Sequence, residues 1–158
     1  MNIDEIYNGV VIDHIRAGRG MLLYDLLKLE ELSASVAIIQ RVQSAKMGTK
    51  DIIKIDADMP VDLDVIAYVD PGATVNIIHG GQLVEKRVLS LPQRLVDVIK
   101  CKNPRCITTT EQELPHIFTL SSGGDVSAAS SGGEVSAAAD RVPIYRCLYC
   151  ETKADLIR

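Results

Sequence analysis

The chain has 158 residues, 47% of them hydrophobic and 24% charged, with a formal net charge of −4. That length suits one medium domain or two small ones, and the composition is that of an ordinary globular protein. An acidic balance without a basic block speaks against a broad phosphate-binding face, so no nucleic-acid partner is expected, while a local basic pocket for a small anion stays compatible with it.

Met1-Asn2-Ile3-Asp4-Glu5 lacks the basic start and apolar core of a secretory signal. No apolar run is long enough to cross a bilayer. A cytoplasmic chain with no membrane partner is therefore expected. Val10-Val11-Ile12, running into Asp13-His14-Ile15, reads as a first strand. In residues 21–32, Leu22, Leu23, Leu26, Leu27 and Leu29 recur at helical spacing. Residues 35–42 and Asp51-Ile52-Ile53-Lys54-Ile55 are apolar and β-branched, and predict two strands joined by a hairpin loop across 44–49. A second helix is expected from about Pro60, because proline is tolerated in a first turn. It carries Leu63, Ile66 and Val69 and stops at Asp70-Pro71-Gly72, a strong turn signal. Residues 73–78 and 83–89 then read as strands around the Gly80-Gly81 turn. The order β-α-β-β-α-β, with one extra strand, is the split arrangement of ferredoxin-like folds.

Leu91-Pro92-Gln93-Arg94 reads as a connector, and every cysteine lies beyond it. Cys101 and Cys106 form a C-x4-C pair, Cys147 and Cys150 a C-x2-C pair. Each short spacing lets one tight turn aim two thiolates at one point, and two such turns complete a closed tetrahedral shell. Lys100, Lys102, Arg105 and Arg146 stand beside them and ease the gathering of negative sulfurs. Two chelating pairs in a reducing compartment are the pattern of a structural zinc site, one ion per chain. Disulfides, a redox pair, separate core thiols and an iron–sulfur cluster are the competing readings; His116 is a spare candidate ligand, read in preference as a surface histidine. Folding of this part should then be coupled to the metal.

The fold expected is α+β: a ferredoxin-like antiparallel sheet with two helices over residues 1–92, followed by a small all-β zinc-binding domain over 93–158. Inside the second part, SSGGDVSAA at 121–129 is repeated as SSGGEVSAA at 130–138. Such a Ser/Gly/Ala segment has little to bury, so a flexible insertion is expected at about 121–140. Long surface loops cost little closure entropy.

Asp13 and His14 end the first strand, Lys50 and Lys54 flank the third, and Lys86 follows the Gly80-Gly81 hairpin. Lysines neutralise phosphate and an aspartate accepts from sugar hydroxyls, although a single lysine is usually a solvated surface charge. No glycine-rich phosphate loop accompanies them.

Together, Gly9-Val10-Val11-Ile12-Asp13-His14-Ile15, Met47-Gly48-Thr49-Lys50-Asp51-Ile52-Ile53-Lys54-Ile55, Ala73-Thr74-Val75-Asn76, Ser90-Leu91-Pro92 and the two cysteine pairs resemble the aspartate carbamoyltransferase regulatory-chain family. The resemblance covers nearly the whole chain outside the repeat. It implies a non-catalytic subunit with an amino-terminal allosteric domain and a carboxy-terminal zinc domain. It implies a regulatory-chain homodimer, a catalytic-chain partner, and the effectors CTP, UTP and ATP. By the same resemblance Asp13 lies near the ribose and His14 near the phosphates. Lys54 lies near base and ribose, Lys86 at the phosphates, and Ile6 and Leu83 offer backbone groups to the base. Lys50 is linked to a second nucleotide, and Asn103, Arg105 and Tyr149 fall where the family touches a catalytic chain. An aromatic residue near the base in some members aligns with Gly81 here, and Arg105 stands where they carry a second interface asparagine. A standalone zinc-containing nucleotide sensor, a nucleic-acid-binding zinc ribbon and a free-standing enzyme using Asp13 and His14 are the rival readings.

Overall fold

Strand alternation sets the first sheet. Val10, Ile12, Ile53, Ile55 and Val75 are each no more than 1% exposed, and they fall on β1 (Gly9–Arg16), β3 (Gly48–Ile55) and β4 (Thr74–His79). With β2 (Val36–Ser44) and β5 (Gln82–Val88) these strands form one sheet, ordered β2-β3-β1-β4-β5, in which every neighbouring pair is antiparallel. Helices α1 (Gly20–Leu26) and α2 (Leu63–Val69) supply Leu23, Val65, Ile66 and Val69 to the same core. This is the split βαβ arrangement with β5 added at one edge. The computed structural model describes residues 6–122 and 143–154, and the chain divides into two compact units between Ser90 and Leu91.

Irregularities in β1 and β2 depart from simple alternation. Ile12 and Ile15, three residues apart, are both fully buried, which a period of two forbids. A bulge between them, with His14 at φ 58°, absorbs the extra residue. A matching bulge in β2 holds Arg41 at φ 60°. Fully buried Asp51 on β3 ties both regions together: its carboxylate accepts from Gly18 N–H, Gly20 N–H and Arg41 N–H, each at 3.0 Å.

The helices differ from their expected limits. The leucine-rich segment does not run as one helix over 21–32. It stops after Leu26, turns at Lys28 (φ 54°), and continues as a 3₁₀ turn, Leu29–Glu31. That redirection buries Leu29 at 2% exposure alongside Leu23 at 0%. Helix α2 starts at Leu63 and not near Pro60, because Asp62 caps it, accepting from Asp64 N–H at 3.0 Å and Val65 N–H at 3.4 Å. The β4–β5 turn is as expected, with Gly80 and Gly81 both at positive φ and His79 opposite Gln82.

The second unit holds a three-stranded antiparallel sheet, β6 (Arg94–Val96), β7 (Ile117–Ser122) and β8 (Ile144–Cys147), in the order β6-β7-β8. Leu95, Phe118 and Tyr145, each 1% exposed, are its core, and the Tyr145 hydroxyl donates to Pro92 O at 2.7 Å. One helical turn, α3 (Ile107–Thr110), is added to the expected strands. The repeat, and with it the expectation of mobility, lies outside the described residues apart from its first two positions; the flanking Ser122 and Ile144 are register partners. Among the described residues no helix is long and apolar enough to cross a membrane.

Candidate metal centre and ligand face

The two cysteine pairs come from different local devices and meet at one place. After Cys101 the chain turns so that Cys106 N–H donates to Asn103 O at 3.0 Å, and Asn103 Oδ1 accepts from Arg105 N–H at 3.0 Å. The other pair begins at the end of β8, where Glu151 at φ 62° lets its N–H return to Cys147 O at 2.9 Å. All four Sγ atoms lie within 4.8 Å of one another, with Cys101–Cys150 at 3.5 Å and Cys106–Cys147 at 3.7 Å. These are free thiols, so the disulfide reading does not describe this arrangement. His116 is not part of the cluster; its Nδ1 accepts from Cys101 N–H at 3.2 Å.

Burial pushes the Cys101 thiol up to about 12 and raises Cys147 as well. The Thr152 hydroxyl, 3.1 Å away, pulls Cys150 down to about 6. A second hydroxyl, Thr108 Oγ1, donates to Cys106 Sγ at 3.1 Å. Cys101 and Cys147 thus resist ionisation by themselves, and a cation at the centre of the cluster reverses that balance. The donor set is all sulfur and complete at four, which fits a bound metal in a closed, structural site.

The first unit presents a different surface. Residues paired across antiparallel strands share a face. Register places Ala37, Lys54, Val11, Asn76 and Lys86 in one row across all five strands. Their neighbours Val10, Ile12, Ile53, Ile55 and Val75 face the core, so this row lies on the side of the sheet away from it. Lys54 and Lys86 are separated by three strand spacings, about 14 Å. The next row pairs Asp13 with Thr74 and Val88, and on the other side Leu83 pairs with Ile78, which pairs with Gly9.

Asp13 is held at the edge of this face by Lys50 Nζ at 2.9 Å and by His14 N–H at 2.6 Å. Burial pushes the Asp13 carboxyl up, but the Lys50 and His14 contacts outweigh it and leave it below its ordinary value. His14 Nδ1 sits 3.1 Å from Thr74 Oγ1. Asp13, His14, Lys50 and Thr74 thus form one group, with Lys54 and Lys86 in the adjoining row. Ile6 is buried at 9% exposure and Leu83 is 57% exposed.

Asn76 was not singled out from the sequence as a site residue. Its Oδ1 is buried without a hydrogen-bond partner among the described residues, in the lysine row one strand from Lys86 and two from Lys54. An unmet buried acceptor costs about 1–3 kcal/mol, which a donor on a ligand would recover. Around the metal centre, Arg105 is exposed, Asn103 half-buried and Tyr149 38% exposed, beside Leu148 at 45% and Ile107 at 49%.

The family model for the aspartate carbamoyltransferase regulatory chain, allosteric domain, matches residues 1–90, and the model for its metal binding domain matches residues 93–129. The chain is similar to the aspartate carbamoyltransferase regulatory chain of Clostridium tetani, 40% identical over 152 residues, covering 96% of this chain and 94% of the relative. It is 37% identical over 156 residues to that of Bifidobacterium longum, covering 99% and 100%. With that of Clostridium botulinum strain Hall the identity is 41% over 153 residues, covering 96% and 92%.

Proposed function

The chain belongs to the aspartate carbamoyltransferase regulatory-chain family, a non-catalytic subunit with allosteric and metal-binding domains, and on that premise we propose that it senses CTP, UTP and ATP and transmits their effect to catalytic chains. The allosteric domain spans residues 1–92 and the metal domain 93–158. Nucleotides bind the open sheet face through Ile6, Asp13, His14, Lys50, Lys54, Leu83 and Lys86. Lys86 neutralises phosphate, Asp13 accepts from ribose hydroxyls, and Lys50 serves a second nucleotide. The observation that supports this reading is the row Lys54–Val11–Asn76–Lys86, two cations and an acceptor unmet among the described residues, on the face opposite the core shared with α1 and α2.

The metal is zinc, one per chain, held by Cys101, Cys106, Cys147 and Cys150. A Zn–S distance of about 2.3 Å sets a tetrahedral sulfur–sulfur edge of about 3.8 Å, close to the observed 3.5 and 3.7 Å. The ion fixes the two turns, and the surface they present, with Asn103, Arg105 and Tyr149, docks on a catalytic chain. Two regulatory chains pair, and the complex works in the cytoplasm. A nucleotide shifts the enzyme only by its difference in affinity for the two forms of the complex, typically about 1–3 kcal/mol.

Calorimetry of CTP binding to the full chain tests the site. Lys54→Ala and Lys86→Ala should each weaken binding about tenfold or more and blunt regulation, leaving basal catalysis intact; charge-assisted contacts contribute about 1.5–3 kcal/mol. Native affinity in both variants rules out this placement of the nucleotide.

A further inference from the structure

Tyr7 precedes β1 and is 68% exposed, an apolar ring left largely in water. Its main chain is nevertheless fixed: Gly81 N–H donates to Tyr7 O at 2.9 Å, and Gly80 N–H donates to Asn8 Oδ1 at 3.0 Å. The tip of the β4–β5 hairpin is thus tied to this segment by both of its glycines. A Cβ placed on Gly81 would lie 3.6 Å from Tyr7 Cδ2 and 3.8 Å from Cε2, so the ring stands in contact range over the turn. With φ at 60° and 75°, the two tip positions disfavour bulky side chains. The tip itself is poorly suited to an aromatic group, and the neighbouring segment supplies one.

The ring's position relative to the lysine row gives it a role. The row Leu83–Ile78–Gly9 lies between the hairpin tip and the row Lys86–Asn76–Val11–Lys54, the two being two residues apart along the strands, about 7 Å. A nucleotide with its phosphates at Lys86 can direct its base past the Leu83 row toward the tip, where Tyr7, next in the chain to Ile6, offers a flat apolar surface over Gly81. We propose that Tyr7 is the stacking platform for the nucleobase in this chain, taking the place that Gly81 leaves without a side chain. This rests on the reading of the open face as the nucleotide site. Stacking tolerates any base because each has a π-face, so the platform serves purine and pyrimidine effectors alike.

The test is calorimetry of CTP, ATP and inorganic tripolyphosphate on the full chain, comparing wild type with Tyr7→Phe, Tyr7→Leu, Tyr7→Ala and Lys86→Ala. Loss of the ring should weaken CTP and ATP roughly tenfold, leave tripolyphosphate unchanged, and be rescued by phenylalanine. Tyr7→Leu keeps apolar bulk over the hairpin and carries the test if the alanine variant does not fold. The chain has no Trp and five Tyr, so CTP should also quench tyrosine emission in the wild type and much less in Tyr7→Phe. Native CTP affinity in Tyr7→Leu, with weakened binding in Lys86→Ala, overturns the stacking role and leaves the site standing. An equal loss of tripolyphosphate overturns it too, since the ring would then shape the site and not hold the base. Failure of wild type to bind either nucleotide removes the site itself.

Discussion

Asp51 shows how much a single residue organises here. Its carboxylate is fully buried and receives three backbone N–H groups, from the entry to α1 and from the β2 bulge. Three donors left unmet in Asp51→Ala, at about 1–3 kcal/mol each, should destabilise the first unit by about 3 kcal/mol or more. Urea unfolding followed through the first unit measures this, and a loss below about 1 kcal/mol would contradict the role. From the sequence, Asp51 reads only as a polar residue in a strand, because its partners lie 10 to 33 positions away. The charged residues beside it were more legible. Asp13, His14 and Lys50 were named from their strand ends, and they do come together, with Lys50 Nζ 2.9 Å from Asp13. Asn76 carries no comparable mark in the sequence, because nothing local shows that a buried amide oxygen is left unmet.

At the scale of elements, hydrophobic period and turn chemistry mark the five strands of the first unit, its two helices and the Gly80-Gly81 hairpin, but not the individual strands of the second. They could not give bulges, and the bulges decide which side chains share a face. Counting back from the turn pairs His79 with Gln82 and then Asn76 with Glu85, leaving Lys86 opposite core-facing Val75. The irregularity between Ile77 and Ile78 shifts the register by one residue, so that Asn76 meets Lys86 and Val75 meets Arg87. One extra residue in β5 therefore carries Lys86 onto the open face. Deleting Val84, the residue the irregularity absorbs, should straighten β5 and leave Lys86 opposite Asn76, so CTP affinity should stay close to that of the wild type and not fall as in Lys86→Ala. The sheet should survive, since β5 is an edge strand and wholly exposed. Calorimetry and far-UV circular dichroism on the same sample check this; a loss of CTP binding as large as that of Lys86→Ala, with the sheet intact, would mean that this register does not position the lysine. The helix limits failed for a related reason. Leucine spacing continues past Leu26, but Lys28 leaves the helical region so that Leu29 reaches the core.

The molecule as a whole joins two units with different sources of stability. The first has a sheet, two helices and a continuous apolar core. Among its described residues the second has a short sheet, three large buried side chains and four thiols that meet at one point. So small a core is marginal alone, and the free energy of binding an ion becomes free energy of folding. The cysteine spacing made that centre legible, because two short chelating pairs need no knowledge of the fold to be recognised. The surface proposed to meet a catalytic chain rests on resemblance alone, since exposed residues such as Arg105 and Tyr149 carry no periodic signal. The most direct test is to measure zinc content and sedimentation together, on the full chain mixed with catalytic chain, before and after chelation under reducing conditions. We predict one zinc per regulatory chain and a large complex at the start, and loss of both after chelation. A zinc-free chain that assembles as readily as the loaded one would contradict the claim that the metal builds the docking surface.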